Sequence, residues 1–476
     1  MARLFGTDGV RGVVNDFLTP ELAYHMGRAA ATYFGKQKDH PSFLIGRDTR
    51  ISGGMLDATL ASGICAAGGN VILAGVIPTP GVAYLVRHFG VDAGVVISAS
   101  HNPYPDNGIK FFDGQGFKLP DAVEDEIEGY VHDSANNNLE RPTGAGLGII
   151  EYNGNMAHYY AEFLEKTVDN RFEGITIVYD GANGAASAVG PEVLKALGAH
   201  VIPIHIDPNG TNINDNCGAT HLESLQAAVI KYKADLGIAN DGDADRCLLV
   251  DEEGQVLDGD QIMLLCGLKL KEEGKLAKNT IVGTVMSNIG FHKAAHELGM
   301  ETVSTAVGDR YVLERMRADG YVIGGEQSGH VIFLEHNSTG DGLLTAIQVV
   351  SLMKKKGQSL SQLAKIMTKY PQVLVNVRVA TKTGWEDNGL IQAAVASAEV
   401  ELGEDGRMLV RASGTEPLIR VMAEGPDMEE LEQICQEVAE VVRHDLGLVK
   451  LGLLSRLLMC LAQATSLVEF LLLCPS

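Results

Sequence analysis

The sequence predicts an α/β protein of three similar domains with mostly parallel mixed sheets, followed by a smaller C-terminal α+β domain. Three observations predict it. Apolar runs of strand length alternate with stretches of helical pattern over most of the chain, the βαβ signature of a parallel sheet. Fifty-five glycines supply the tight turns that many short elements require. The length of 476 residues exceeds what one hydrophobic core serves, so several units are expected.

Taken in order, residues 42–48 (SFLIGRD), 71–77 (VILAGVI) and 93–98 (AGVVIS) read as buried strands, each followed by a turn and a stretch of helical pattern. A second series begins near 175 (ITIVYDGANG) and continues through 201–206 (VIPIHI) to 236–240 (LGIAN). A third uses 280–286 (TIVGTVM), 302–307 (TVSTAV) and 321–324 (YVIG). Residues 372–380 (QVLVNVRVA) alternate differently, and 408–411 with 418–422 suit an antiparallel pair before a helix at 427–445. The segments 134–152 and 365–371 are the linker candidates. The domains expected are therefore 1–150, 151–253, 254–367 and 368–447, with 448–476 as an apolar extension.

That extension is unlike the rest. Residues 451–474 are strongly apolar but interrupted by Arg456, Gln463 and Glu469, and charge near mid-span argues against membrane insertion. The segment reads as a helix packed on another subunit or domain, which leaves room for a homodimer, or as an added extension.

Composition narrows the function. With 45% hydrophobic and 21% charged residues the chain is an ordinary globular protein. A formal charge of -23 excludes a nucleic-acid coat, which needs a basic surface. It leaves open an anionic small substrate, since a few convergent Arg and Lys suffice. Seven dispersed cysteines without framework or metal spacing read as reduced thiols of a cytoplasmic protein. The start has no apolar signal region, so the glycosylation-like triplet at Asn337 reads as chance.

Four loops carry chemistry. In ISASHNPYPDNGIKFF (97–112) an apolar strand runs into a polar loop holding Ser100, and loops at the carboxyl ends of parallel strands are where ligands bind. An exposed serine there can act as nucleophile or phosphate carrier; a plain polar turn has the same composition. Lys110, with no acidic neighbour until Asp113, is the cation to meet a phosphate or shuttle a proton. In NDGDADR (240–246) Asp241, Asp243 and Asp245 alternate after a strand, as a loop holding one small hard cation requires. An EF-hand fails because its sixth position must be glycine and is Arg246 here. An aspartyl-nucleophile phosphatase and a solvated acidic turn stay open. GGEQSGH (324–330) brings Glu326, Ser328 and His330 to a glycine-rich turn suited to hydroxyl recognition. In RASGTEPLIR (411–420), Arg411, Ser413, the Gly414 and Thr415 amides and Arg420 could form an anion nest, although a hairpin with solvated arginines reads alike.

Together FGTDGVRG (5–12), SASHNP (98–103), DGDADR (241–246), GGEQSGH and RASGTEP (411–417) resemble the α-D-phosphohexomutase family from residue 1 to about 445. ARLFGTDGVRG, VGDRYV (307–312) and Gln327 are similar to members acting on glucosamine phosphate; relatives acting on mannose or glucose phosphate usually carry a histidine near the position of Asp309. The resemblance implies four domains around a central cleft, each giving one loop. It implies Ser100 as phosphoserine and Asp241, Asp243 and Asp245, with phospho-Ser100, as ligands of one Mg²⁺ per chain. Glu326 and Ser328 would grip sugar hydroxyls, and Arg411, Ser413, Gly414, Thr415 and Arg420 the non-reacting phosphate. Arg11, Lys110, Arg246 and His330 fall in cleft motifs, with acid and base unassigned; Ser98 is a decoy in the Ser100 loop.

The activity implied is interconversion of glucosamine 6-phosphate and glucosamine 1-phosphate, feeding UDP-N-acetylglucosamine and cell-wall precursor synthesis. A hexosamine 1,6-bisphosphate would be intermediate and activator, and the fourth domain would close as a lid. The alternatives are a phosphomannomutase/phosphoglucomutase, a phosphohydrolase attacking phospho-Ser100 with water, and a catalytically silent sugar-phosphate binder.

Overall fold

The computed structural model describes residues 3–6, 8–413 and 416–447. Two compact units emerge. One runs to Ser287 and resumes over Phe291–Met367; the other joins Asn288–Gly290 to the chain from Thr368 onward. The division at Met367 falls inside the expected linker 365–371.

The larger unit holds three sheets. The first contains β1 (Val10–Val13), β2 (Ser42–Arg47), β3 (Asn70–Val76), β4 (Ala93–Ile97), β5 (Asp106–Asp113) and β6 (Ile150–Tyr152), in the order β1-β5-β4-β2-β3-β6. Strands β4, β2, β3 and β6 are parallel, while β5 returns antiparallel to β4 and β1 antiparallel to β5. Two details differ from the sequence reading. The 97–112 stretch is a loop only at its start, because Asn107 and Gly108 lead a buried strand that places Lys110 opposite Val96. The linker candidate 134–152 ends in edge strand β6, whose three residues pair with β3 but are all exposed, which leaves no apolar alternation to read.

The second sheet, β11-β10-β9-β7-β8, is built from β7 (Thr176–Asp180), β8 (His200–Ile204), β9 (Leu236–Asn240), β10 (Cys247–Asp251) and β11 (Val256–Leu257). The third, β13-β12-β14-β15, contains β12 (Thr280–Thr284), β13 (Glu301–Thr305), β14 (Ile323–Gly325) and β15 (Val331–Phe333). Both are mixed: β10 runs antiparallel to β9, and β15 to β14. One buried apolar cluster runs through the unit, joining Leu44 and Val96 of the first sheet to Ile177 and Ile238 of the second and Ile281 and Ile323 of the third. Helices Gly259–Glu272 and Gly342–Lys356 lie in it. Fully burying such a side chain contributes about 1.5–3 kcal/mol, so this shared core fixes the three loop-bearing strand ends β4, β9 and β14 relative to one another.

The smaller unit has an antiparallel sheet β16-β18-β17, made of β16 (Gln372–Arg378), β17 (Arg407–Ala412) and β18 (Leu418–Glu424). Its last helix, Met428–Leu446, is capped by Asp427 and buries Leu431, Ile434, Cys435, Val438 and Val442 at helical spacing.

Among the described residues five cysteines are free, four of them buried. Asn337 is fully buried and donates to Pro80 O at 3.1 Å and Asp341 Oδ2 at 3.0 Å, so the triplet serves packing. No described helix is long and apolar enough to cross a membrane. The extension 448–476 lies outside the described residues.

Candidate active site

Ser100 follows β4 with a left-handed backbone, φ 51°, in a region that L side chains rarely enter. It is 2% exposed. Its Oγ donates to Asp241 Oδ2 at 2.7 Å and lies 3.3 Å from His101 Nδ1. Burial and the nearby Arg246 and Arg11 lower His101 to about 4, which favours the neutral imidazole. Ser98 points elsewhere, donating to Asp48 Oδ2 at 2.6 Å.

Asp241, Asp243 and Asp245 follow β9 and are all buried, with carboxylate oxygens within 4.8 Å of one another. Burial and the adjacent Asp245 and Asp243 carboxylates raise Asp241 to about 8. Burial alone would raise Asp245 too, but His330, Lys110 and Arg246 hold it below the usual carboxylate range. Asp243 Oδ1 and Asp245 Oδ1 are buried without a hydrogen-bond partner. Like charges packed this closely with orphaned oxygens fit a divalent cation, and an all-oxygen set fits a hard one. Gly242 is where the two loops meet: a Cβ there would stand 2.6 Å from Ser100 O. Ala244 makes the turn with φ 58°.

Lys110 does have acidic partners, contrary to the local reading; the fold brings them from elsewhere. Its Nζ lies 3.1 Å from Asp243 Oδ2 and 3.0 Å from Asp8 Oδ2. Burial would depress this lysine, but the two carboxylates outweigh it and keep the ammonium charged. From Asp8 the alternation continues through Lys118 Nζ at 2.5 Å to Asp309 Oδ2 at 2.5 Å. It closes through His330, with Nε2 3.7 Å from Asp309 and Nδ1 3.5 Å from Asp245. A ring of alternating charge thus leaves the metal-type triad at Asp243 and returns at Asp245. Burial would lower His330, but Asp245, Asp309 and Glu326 raise it to about 9. Gly340 N lies 3.1 Å from its Nε2, a contact that only the neutral ring can accept as a hydrogen bond. Arg11 pairs with Asp8. The backbone N–H of Arg246 donates to Asp241 Oδ1 at 3.2 Å, and its guanidinium Nε is 3.9 Å from Asp245 Oδ1.

Glu326 opens the turn between β14 and β15, its Oε1 accepting from Gly308 N at 3.0 Å. Ser328 is exposed at that turn. In the smaller unit, Arg411 and Arg420 stand directly opposite across β17 and β18. Facing like charges are unfavourable, and both Nε atoms are buried without a partner. Burial and Arg420 lower the Arg411 pKa. Ser413 is buried beside them, and Lys382 Nζ donates to its carbonyl at 2.8 Å. Two guanidinium groups facing each other in this way suit an anion; Gly414 and Thr415 lie outside the described residues.

Sequence reasoning passed over Asp8, Thr79, Lys118 and Lys382 and gave His101 and Asp309 no role. Thr79 donates from Oγ1 to Asp243 Oδ2 at 2.7 Å. Thr79, Lys118 and Lys382 lie in no quoted motif, and Asp8 and Asp309 lie in motifs that do not reveal their partners, which are distant in sequence. A second set of metal-type donors, Asp180, His205 and Cys217, also converges. Its carboxylate is already engaged: Oδ1 accepts from Ala182 N, and Oδ2 accepts from Gly218 N and faces His205 Nδ1.

The fold and this constellation define a phosphohexomutase-type protein. Four models match in succession: phosphoglucomutase/phosphomannomutase alpha/beta/alpha domain I over residues 2–138, domain II over 157–254, domain III over 258–370, and the C-terminal domain over 374–441. The chain belongs to the phosphoglucomutase/phosphomannomutase family. Similar relatives are phosphoglucosamine mutases: that of Desulforamulus reducens is 54% identical over 442 residues, covering 93% of this chain and 99% of that protein. That of Bacillus subtilis is 51% identical over 448 residues, covering 94% and 100%. Among solved structures, a phosphoglucomutase/phosphomannomutase family protein from Burkholderia thailandensis matches with TM-score 0.78 at 24% identity, covering 93% of this chain and 97% of that one. The Aspergillus fumigatus N-acetylphosphoglucosamine mutase, solved with GlcNAc-6P and magnesium, matches with TM-score 0.67 at 20% identity, covering 93% and 95%. These two share the fold.

Proposed function

We propose that the chain is an isomerase that interconverts glucosamine 6-phosphate and glucosamine 1-phosphate, with Ser100 as its phosphoryl carrier. The observation that carries this reading is the 2.7 Å contact from Ser100 Oγ to Asp241, the first carboxylate of the buried triad. Identities of 51–54% to phosphoglucosamine mutases over nearly the whole chain support the substrate.

In the first half-reaction the Oγ–P bond of phospho-Ser100 breaks as a sugar hydroxyl oxygen forms its own bond to phosphorus. The hydroxyl proton passes to a base, from which the departing Ser100 Oγ recovers one, while Lys110 stays charged beside its carboxylates. The resulting 1,6-bisphosphate turns over, and its other phosphoryl group returns to Ser100 Oγ. Asp241, Asp243, Asp245 and phospho-Ser100 would hold one magnesium per chain, which would supply the charge neutralisation that phosphoryl transfer needs. Lys110, Arg11, Arg246 and His330 give the transferred group positive surroundings, with their own charges balanced by the acidic ring. Glu326 and Ser328 take the sugar hydroxyls. Arg411, Ser413, Gly414, Thr415 and Arg420 would bind the phosphate not in transfer. The hexosamine 1,6-bisphosphate serves as activator, and the setting is cytoplasmic.

Coupled assays with magnesium, a trace of hexose 1,6-bisphosphate, and glucosamine, glucose or mannose 6-phosphate in parallel test the substrate. Preference for glucosamine 6-phosphate is expected. Preference for mannose or glucose phosphate would make this a phosphomannomutase/phosphoglucomutase, and silence on all three would favour the binding-protein reading.

Two variants probe the parts. Gly242→Ala forces the metal loop from Ser100 O and is expected to lower kcat about 10²-fold, since a misplacement near 1 Å costs that much, and to lower the melting temperature, since overpacking a buried site costs about 1–3 kcal/mol. Arg411→Met removes a charge-assisted phosphate contact worth about 1.5–3 kcal/mol, so KM is expected to rise roughly 10- to 100-fold. Because it also relieves the Arg411–Arg420 repulsion, thermal unfolding is expected at the same or a higher temperature.

A further inference from the structure

Arg50 is one of the largest fully buried side chains, and its guanidinium is spent on the main chain of the Ser100 loop. Nη1 donates to Pro103 O at 2.5 Å and Asp106 O at 3.1 Å. Nη2 donates to Ser100 O at 2.9 Å and Asn102 O at 2.8 Å. Nε donates to Asp48 Oδ2 at 2.9 Å. The five N–H donors of an arginine fork thus meet five acceptors. Asp48 is as fully used. Its Oδ1 accepts from Arg50 N at 2.9 Å, and its Oδ2 also accepts from Ser98 Oγ at 2.6 Å. Ser98 Oγ in turn accepts from Ser100 N at 3.0 Å. Both ends of Ser100 are therefore gripped: its carbonyl by Arg50 directly, its amide by Asp48 through Ser98. Asn214 Nδ2, from the second-sheet side, donates to the same Ser100 and Asn102 carbonyls at 2.9 and 3.2 Å.

This grip answers a specific need. Ser100 sits at φ 51°, where a serine does not rest by its own preference. With its carbonyl turned onto Arg50, the planar peptide unit turns the His101 N–H the opposite way, away from the guanidinium. A donor set addressed to carbonyls rather than side chains fixes the course of the backbone whatever charge Ser100 Oγ carries. We propose that Arg50, oriented by Asp48, is a positioning residue for phosphoryl transfer: it locks the Ser100 loop in the left-handed turn that keeps Oγ on the Asp241–Asp243–Asp245 carboxylates as the phosphoryl group leaves and returns. The inference rests on Ser100 being the phosphoryl carrier.

Arg50→Lys keeps the charge and loses the five-donor fork. The enzyme is loaded with glucose 1,6-bisphosphate, the mass gain of one phosphoryl group on the Ser100 peptide is confirmed, and transfer to glucosamine 6-phosphate is followed in a single turnover. The variant is expected to transfer about 10²-fold more slowly, with KM little changed and a lowered melting temperature, because lysine leaves some of the buried carbonyls unpaired. Ser98→Ala, which cuts the link to Ser100 N and with it the hydrogen bond to Asp48 Oδ2, leaves Arg50 in place and is expected to slow the same step less. The double variant should lose less than the two single losses combined, because both act on one device. Wild-type enzyme that gains no phosphoryl group on Ser100 would refute the carrier reading itself. A loaded Arg50→Lys enzyme transferring at the wild-type rate would refute the role of Arg50 alone. If Arg50→Lys does not fold, Ser98→Ala decides: a wild-type single-turnover rate overturns the proposal, and a slowed rate at unchanged melting temperature supports it.

Discussion

Ser100→Ala is expected to abolish turnover of glucosamine 6-phosphate, by about 10⁴-fold or more, in line with removal of covalent nucleophiles elsewhere. That factor corresponds to about 5.5 kcal/mol of lost transition-state stabilisation. The loss can be assigned to one atom because little else changes. The loop is held by main-chain contacts to Arg50 and by Ser98 Oγ to the backbone N–H of residue 100, and none of these uses the Ser100 side chain. Ser98 cannot substitute, since its hydroxyl is committed to Asp48 on the far side of the loop. Arg411 and Arg420 are untouched, so binding of glucosamine 6-phosphate, measured by calorimetry, is expected to persist. A variant that retained a few per cent of activity would put the phosphoryl carrier elsewhere.

Stripping the divalent cation is expected to have the next largest effect. Neutralising the transferred group is worth several kcal/mol, and about 4 kcal/mol is roughly 10³-fold in rate. EDTA-treated enzyme should lose that much activity and regain it with Mg²⁺ more fully than with Ca²⁺, which prefers more ligands at longer distances. The triad also predicts a change of sign in stability. Three buried carboxylates repel one another, with Asp241 pushed up to about 8, so in EDTA Asp241→Asn should melt at a higher temperature than the wild type. With Mg²⁺ the order should reverse, because a ligand that binds only the folded state stabilises it and the variant has lost a ligand. Equal melting temperatures with and without Mg²⁺ in the wild type would mean that the triad holds no such ion.

Much of this site was legible because its chemistry sits where apolar strands end. Ser100 after β4, Asp241, Asp243 and Asp245 after β9, and Glu326 after β14 are all marked by an abrupt switch from a buried run to polar turn residues. Arg411 and Arg420 were legible as a hairpin pair, and the structure adds that they face each other. What escaped the sequence is long-range. Lys110 looked free of carboxylates, yet its partners Asp8 and Asp243 come from another strand end and another sheet. Lys118 carries no motif, and the VGDRYV motif does not show that its Asp309 meets Lys118. Strand β5 was hidden by the Asn107–Gly108 pair, which composition reads as a turn but the sheet uses as buried backbone. Arg50 gave no signal because four of its five acceptors are main-chain carbonyls, which every residue has. Burial and backbone direction, the quantities that reveal it, do not exist until the chain is folded.

The most direct test of the central claim is to label the enzyme on Ser100 with ³²P, add unlabelled glucosamine 6-phosphate and Mg²⁺, and separate the quenched products over time. The account predicts that label leaves the protein into a glucosamine 1,6-bisphosphate and then enters the monophosphates, with none released as inorganic phosphate. Label appearing as inorganic phosphate at the rate of turnover, or monophosphate interconversion while the label stays on the protein, would contradict it.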